Sequence, residues 1–301
     1  MPPAKASTMR GAAWAVAGVV AGLVVAGLVV AGSGGDGLSA GPGGSSLSRA
    51  AAGQAANNQA PAVKPGAAKV SVAATAHVLN TGNGRLEAVV PDVGKTVLLI
   101  GDSQSEPVDG WPRLGLAAAG YNVYFCGRGG TGYVAANGAT GNYVDALQRG
   151  DWQLPSGTPA LIVVEGGGND AAGGASNAQI ARNAERLIAV LRSRYPGTRL
   201  AMIGTLARGS NDGGGRRSEV DALLGAVAAA NGLPFISTGD WLTRYGLAKD
   251  LADAVHMNHE GRTALGGILE HRLRELGLDR KAAAEQGALA AVPAAGSTFQ
   301  D

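Results

Sequence analysis

A single cysteine, Cys126, stands among 301 residues. That excludes an intrachain disulfide framework and a zinc module built on cysteines. Charge is sparse as well, at 16% of the chain, against about 25% in ordinary soluble proteins. The 25 basic and 23 acidic side chains nearly cancel, to a formal +2, which is not the basic footprint of a nucleic-acid binder. Neither an acidic tail nor a polybasic tail is present. What is abundant is glycine, 49 residues. It follows no three-residue period, so the chain is not collagen-like.

The longest apolar run is 11–32 (GAAWAVAGVVAGLVVAGLVVAG), which holds no charge. At about 1.5 Å per residue it spans about 33 Å as a helix, enough for a hydrocarbon core of about 30 Å. Lys5 and Arg10 precede it, and the next basic residue is Arg49. The positive-inside bias therefore keeps 1–10 cytoplasmic and exports everything after residue 32. The expectation is a single-pass membrane protein with its catalytic part outside the cytoplasm. Small residues at 30–32 and 38–40 leave open cleavage as a signal, which would give a secreted protein. Residues 33–68, rich in Gly, Ser, Ala and Pro, predict a flexible tether, and 281–301 a frayed tail. A unit at 69–280 is left, of a size that one core serves.

Within that unit five short apolar runs predict strands: 96–100, 121–126, 160–165, 199–203 and 234–237. Continuous Val/Ile/Leu runs suit strands covered on both faces. A weaker candidate strand lies within 69–78. Helical periods run between them. Ile180, Ala184, Leu187, Ile188 and Leu191 share one face over 178–195. A second helix is expected over 217–230, and a third from near Asn258. The alternation predicts an α/β fold, a doubly wound, flavodoxin-like parallel sheet of about five strands with helices on both faces. Sites in such sheets lie at the carboxyl ends of the strands.

Those ends carry chemistry. The first run empties into GDS at 101–103, the second into GRGGTG at 127–132, the third into GGGND at 166–170. After the last strand comes DAVH at 253–256. A hydroxyl nucleophile, a glycine backbone, an Asn amide and an Asp/His pair are the components of acyl transfer. The four segments, in this order, resemble the sequence blocks of the SGNH hydrolases, the GDSL-type esterases and lipases, over roughly 96–276. The chain departs from the family's usual pattern at Gln104 and Ser105, directly after the serine.

The resemblance implies an esterase with Ser103 as nucleophile, His256 as general base and Asp253 as the group that orients it. The amides of Ser103 and Gly130 and the side chain of Asn169 would form the oxyanion hole. The glycine-rich register leaves Gly129 as the alternative to Gly130. The resemblance implies no metal and no organic cofactor. The expected substrate is an acetyl or short acyl ester of a cell-envelope glycan or lipid. An acyltransferase would use the same triad. A catalytically silent, anchored glycan-binding module is the rival from another class.

Other readings of these residues are available. Ser105 is a second hydroxyl beside the first, without the GDS context. Asp170 reads as a helix cap. His256, His259 and Glu260 form HxxHE, but the histidines stand i, i+3 where helical zinc sites want i, i+4. GRGGTG also fits a dinucleotide fingerprint, which needs a helix directly afterwards; 133–143 is too rich in Gly and Asn to supply one.

Overall fold

The computed structural model describes residues 68–281. The predicted anchor at 11–32, most of the tether and nearly all of the tail lie outside the described residues. Among the described residues, no helix is long and apolar enough to cross a membrane.

The first elements of the described residues form an antiparallel hairpin, β1 (Ala76–Asn80) and β2 (Arg85–Val89). Five strands then form the main sheet: β3 (Thr96–Gly101), β4 (Asn122–Gly127), β5 (Leu161–Glu165), β6 (Leu200–Ile203) and β7 (Phe235–Ile236). Their order is β4-β3-β5-β6-β7, and every pairing is parallel. The predicted α/β sheet is thus the observed one, and each of the five apolar runs supplies one strand. The candidate strand in 69–78 instead contributes the start of β1. Just before it, Lys69 and Val72 exchange backbone hydrogen bonds with Val123 of β4.

Alternating residues of the strands feed two cores. Val97, Leu99, Val123, Leu161 and Val163 pack with α1 (Trp111–Ala118), α6 (Trp241–Arg244) and α7 (His259–Glu275). Leu98, Ile100, Ile162, Val164 and Met202 face α2 (Tyr143–Arg149), α4 (Asn177–Arg194) and α5 (Gly215–Ala230). The period of two within each strand is what covers both faces. α4 starts where Ser176 and Gln179 form a reciprocal capping box, and its five read core positions are all buried. α7 is capped by Asn258, whose side chain accepts from the Gly261 amide. A short helix, α3 (Gly168–Ala172), follows β5 directly.

The switch point of the sheet is β3: the chain steps to β4 on one side, then crosses to β5 on the other. The loops after β3, β4 and β5 therefore splay apart at one edge, which opens a crevice above their carboxyl ends.

Candidate active site

Ser103 stands in the tight turn after β3. The amides of Ser105 and Glu106 both close on the Asp102 carbonyl, at 3.1 and 2.9 Å. The Asp102 side chain accepts from the Gln104 amide at 2.9 Å, an Asx turn that sharpens the bend. Glycine lets the neighbouring strand end approach closely here. A Cβ on Gly127 of the neighbouring strand would lie 2.0 Å from the Gly101 carbonyl oxygen.

The Asp/His segment comes from the far end of the chain, between β7 and α7. It closes on itself through a bridge of Leu251 with Met257 and an Ala252 amide bond to the His256 carbonyl. One Asp253 oxygen accepts the amides of Val255 and His256, both at 2.7 Å. The other lies 2.8 Å from His256 Nδ1. His256 Nε2 in turn lies 2.8 Å from Ser103 Oγ. The amide of His256, then that of Val255, then the imidazole hold the Asp253 carboxyl well below the usual carboxylate range. Asp253 is thus ionised at any pH near neutrality, and it fixes the ring with Nε2 turned to the serine. Gln104 ties the two segments together, with Nε2 donating to the Val255 carbonyl at 2.8 Å and Oε1 accepting from Trp111 at 3.1 Å.

Asn169, first turn of α3, points its amide into the same crevice. Nδ2 donates to the Thr131 carbonyl at 2.9 Å and to Asp102 at 3.2 Å. Asp170 is not the cap of that helix, a position held by Gly167. It is fully buried and accepts the amides of Tyr133, Val134 and Ala135, which stitches the segment after the glycine block to α3.

The two candidate glycines of the glycine block sit differently. Residues 128–131 form a turn closed by the Thr131 amide on the Arg128 carbonyl, with Gly130 at φ 79° in its third position. Gly130 is thereby turned towards Asn137. Gly129 is the residue that lies against Ser103: a Cβ built on it would come within 3.3 Å of Ser103 Cβ. Its amide donates to the Glu106 carboxylate at 2.8 Å. No helix follows this loop directly, since α2 begins only at Tyr143. His259 faces Asp109 at 3.6 Å, whereas His256 faces Asp253.

Ser105, the alternative hydroxyl, is fully buried. Its Oγ donates to Glu165 at 2.7 Å. Sequence reasoning did not single out Glu165, the last residue of β5. The carboxyls of Asp102 and Glu165 are both buried beneath the turn. Burial pushes Asp102 up to about 6, against the Gln104 amide and the Arg217 charge, which act downwards. Burial, then the Asp102 charge, pushes Glu165 well above the ordinary range. Arg217 is the nearby cation, its Nε bonded to the Leu206 carbonyl and its guanidinium against Gly168.

A stability prediction follows from Glu165. The unfolded chain releases this proton above about pH 4.3, whereas the folded chain keeps it. The unfolded state then binds fewer protons, so this group's contribution to stability falls as pH rises. In thermal melts between about pH 5 and pH 8, wild type should lose more stability with rising pH than Glu165→Gln. Parallel curves for the two proteins would contradict the assignment.

A serine, a histidine and an aspartate in one hydrogen-bonded line, set at the carboxyl edge of a parallel sheet, are the arrangement of a serine hydrolase. Residues 99–264, more than half of the chain, match the model of the GDSL-like Lipase/Acylhydrolase family. The chain belongs to that family. No curated protein sequence matches it. Among solved structures, a carbohydrate acetylesterase from Sinorhizobium meliloti is similar at 17% identity and TM-score 0.44, over 60% of this chain and 99% of that one. An acetyl xylan esterase is similar at 17% identity and TM-score 0.47, over 59% and 99%. The aryl esterase of M. smegmatis matches at 17% identity and TM-score 0.44, over 60% and 99%.

Proposed function

We propose that this chain is an exported, membrane-tethered esterase that removes acetyl or other short acyl groups from a cell-envelope glycan or lipid. The observation that carries the chemistry is the line Asp253–His256–Ser103, with 2.8 Å at each junction. Ser103 Oγ attacks the ester carbonyl as its proton passes to His256 Nε2, and Asp253 stabilises the imidazolium formed. The Ser103 amide, the Gly129 amide and Asn169 Nδ2 receive the oxyanion, Gly129 taking the role first given to Gly130. For this, Gly129 exchanges its bond to Glu106, and Asn169 gives up its longer contact, to Asp102. His256 then protonates the departing alcohol. A water, deprotonated by the same ring, cleaves the acyl-enzyme and restores Ser103.

Two observations favour a short acyl group and hydrolysis. The hollow at the serine, lined by Ser103, Gln104, Pro107, His256 and Met257 among others, has a volume of about 250 Å³, below the usual range of about 300–1,000 Å³ for ligand pockets. The side chains of His256 and Asp253 are 40% and 55% exposed, so water has access to the acyl-enzyme, as hydrolysis needs and transfer to a sugar does not. Tethering outside the cytoplasm rests on the 11–32 run and its flanking charges.

Hydrolysis of p-nitrophenyl esters of increasing acyl length, with fluorophosphonate labelling, tests the reading. Acetate should be turned over faster than octanoate, and labelling should vanish in Ser103→Ala. A folded protein that neither turns over nor labels would refute it.

A further inference from the structure

The two residues after the nucleophile, Gln104 and Ser105, are where the chain leaves its family's pattern, and each reaches a partner distant in sequence. Gln104 reaches the histidine segment; Ser105 reaches down to Glu165. The register Ile100 with Val164 sets Glu165 beside Gly101, the last residue before the nucleophile turn. A Cβ on Gly101 would lie 2.6 Å from Ser105 Oγ and 2.9 Å from Glu165 Oε2, so glycine there makes room for the bridge. The Asp102 amide also faces the Glu165 carboxyl. Glu165 is itself held by its strand, whose end is fixed by Tyr143 donating to the Glu165 carbonyl at 2.9 Å. From the other side Arg113 clamps the turn, bonded to the carbonyls of Ser105 and Glu106 at 2.6 and 2.9 Å.

We propose that Glu165 is a positioning residue for the nucleophile: acting through Ser105, it fixes from beneath the turn that carries Ser103. It touches neither substrate nor reacting atoms, and the inference rests on Ser103 being the nucleophile. Two carboxyls buried side by side do not both ionise. Glu165 keeps its proton, and Asp102 carries the single negative charge where it accepts from the Gln104 amide and from Asn169. The groups facing this pair are Arg217, Asp170, Tyr133, Tyr143 and His256. A neutral Glu165 works as a hydrogen-bonding wedge, a role that glutamine fills and leucine does not.

The test compares the full chain with Glu165→Gln, Glu165→Leu and Ser105→Ala, on p-nitrophenyl acetate and with a fluorophosphonate probe. Glu165→Gln should stay close to wild type in kcat and labelling rate. Glu165→Leu keeps the volume and removes the bonds. Its kcat should fall about 10²-fold, the cost of misplacing a reacting group by about 1 Å. KM should hardly change, because the pocket walls are untouched. Ser105→Ala should fall in the same direction by less, and it decides the matter if the leucine variant does not fold. Wild-type kcat in Glu165→Leu or in Ser105→Ala would overturn the proposal. So would a glutamine variant as impaired as the leucine one, because the wedge would then need its charge. Wild type that neither turns over nor labels would instead refute the esterase reading itself.

Discussion

In His256→Ala, kcat for an acetyl ester is expected to fall by about 10⁴- to 10⁶-fold with KM little changed. Ser103 Oγ lies 2.8 Å from His256 Nε2, and a serine hydroxyl without a base is a weak nucleophile. The ring also supplies the proton that lets the alcohol leave, so both halves of the reaction suffer. Ground-state binding does not draw on that proton movement, and KM is spared. The side chain is 40% exposed, so its loss opens no buried cavity, and the melting temperature should move little. Stopped assays together with fluorophosphonate labelling would check this. A variant that retains activity within about tenfold would mean that the base lies elsewhere, since such a loss is far below that of a triad member.

Asn169→Ala is expected to lower kcat by about 10²- to 10³-fold, the effect of removing one oxyanion donor. The two hydrogens of the amide bond the Thr131 carbonyl and Asp102 at rest; in the proposed mechanism the oxyanion, which exists only in the transition state, replaces Asp102. The loss should therefore fall on kcat rather than KM. The variant should still label with fluorophosphonate, more slowly, which separates it from Ser103→Ala. Unchanged kcat with normal folding would remove Asn169 from the oxyanion hole.

The parts of this molecule that the sequence makes legible are those that depend on neighbours along the chain. Strands β3 to β6 are continuous apolar runs because both faces are covered, and α4 carries its buried face at regular spacing. The strand-end motifs are short and contiguous for the same reason. The elements that escaped notice hide their signal. α1 (WPRLGLAA) has a glycine in its middle, which reads as a breaker. The structure shows Gly115 to be a contact point: a Cβ there would lie 2.7 Å from Leu269 of α7. The hairpin exposes Leu79 and Leu86 and contributes little to the core pattern. Glu165 sits 60 residues from Ser105, and Gln104 sits 151 residues from Val255. No local pattern encodes such meetings: the sequence offers Ser105 as a second hydroxyl and both Gln104 and Ser105 as a departure from the family's usual pattern, and neither reading names a partner. The difference in backbone between Gly129 and Gly130, one positive φ at Gly130, is concealed in a run of neighbouring glycines.

The Asp253 segment has a mechanical consequence. The hydrogen bonds from the Asp253 carboxyl to the Val255 and His256 amides and to the imidazole span three residues or fewer, so the two groups travel as a cassette. If that segment shifts, the acid–imidazole hydrogen bond goes with it unharmed. Only one separation in the triad, from imidazole to serine, is set by parts of the chain that can move independently. Alignment of the whole triad thus reduces to a single joint, with the Gln104 side chain as its pin.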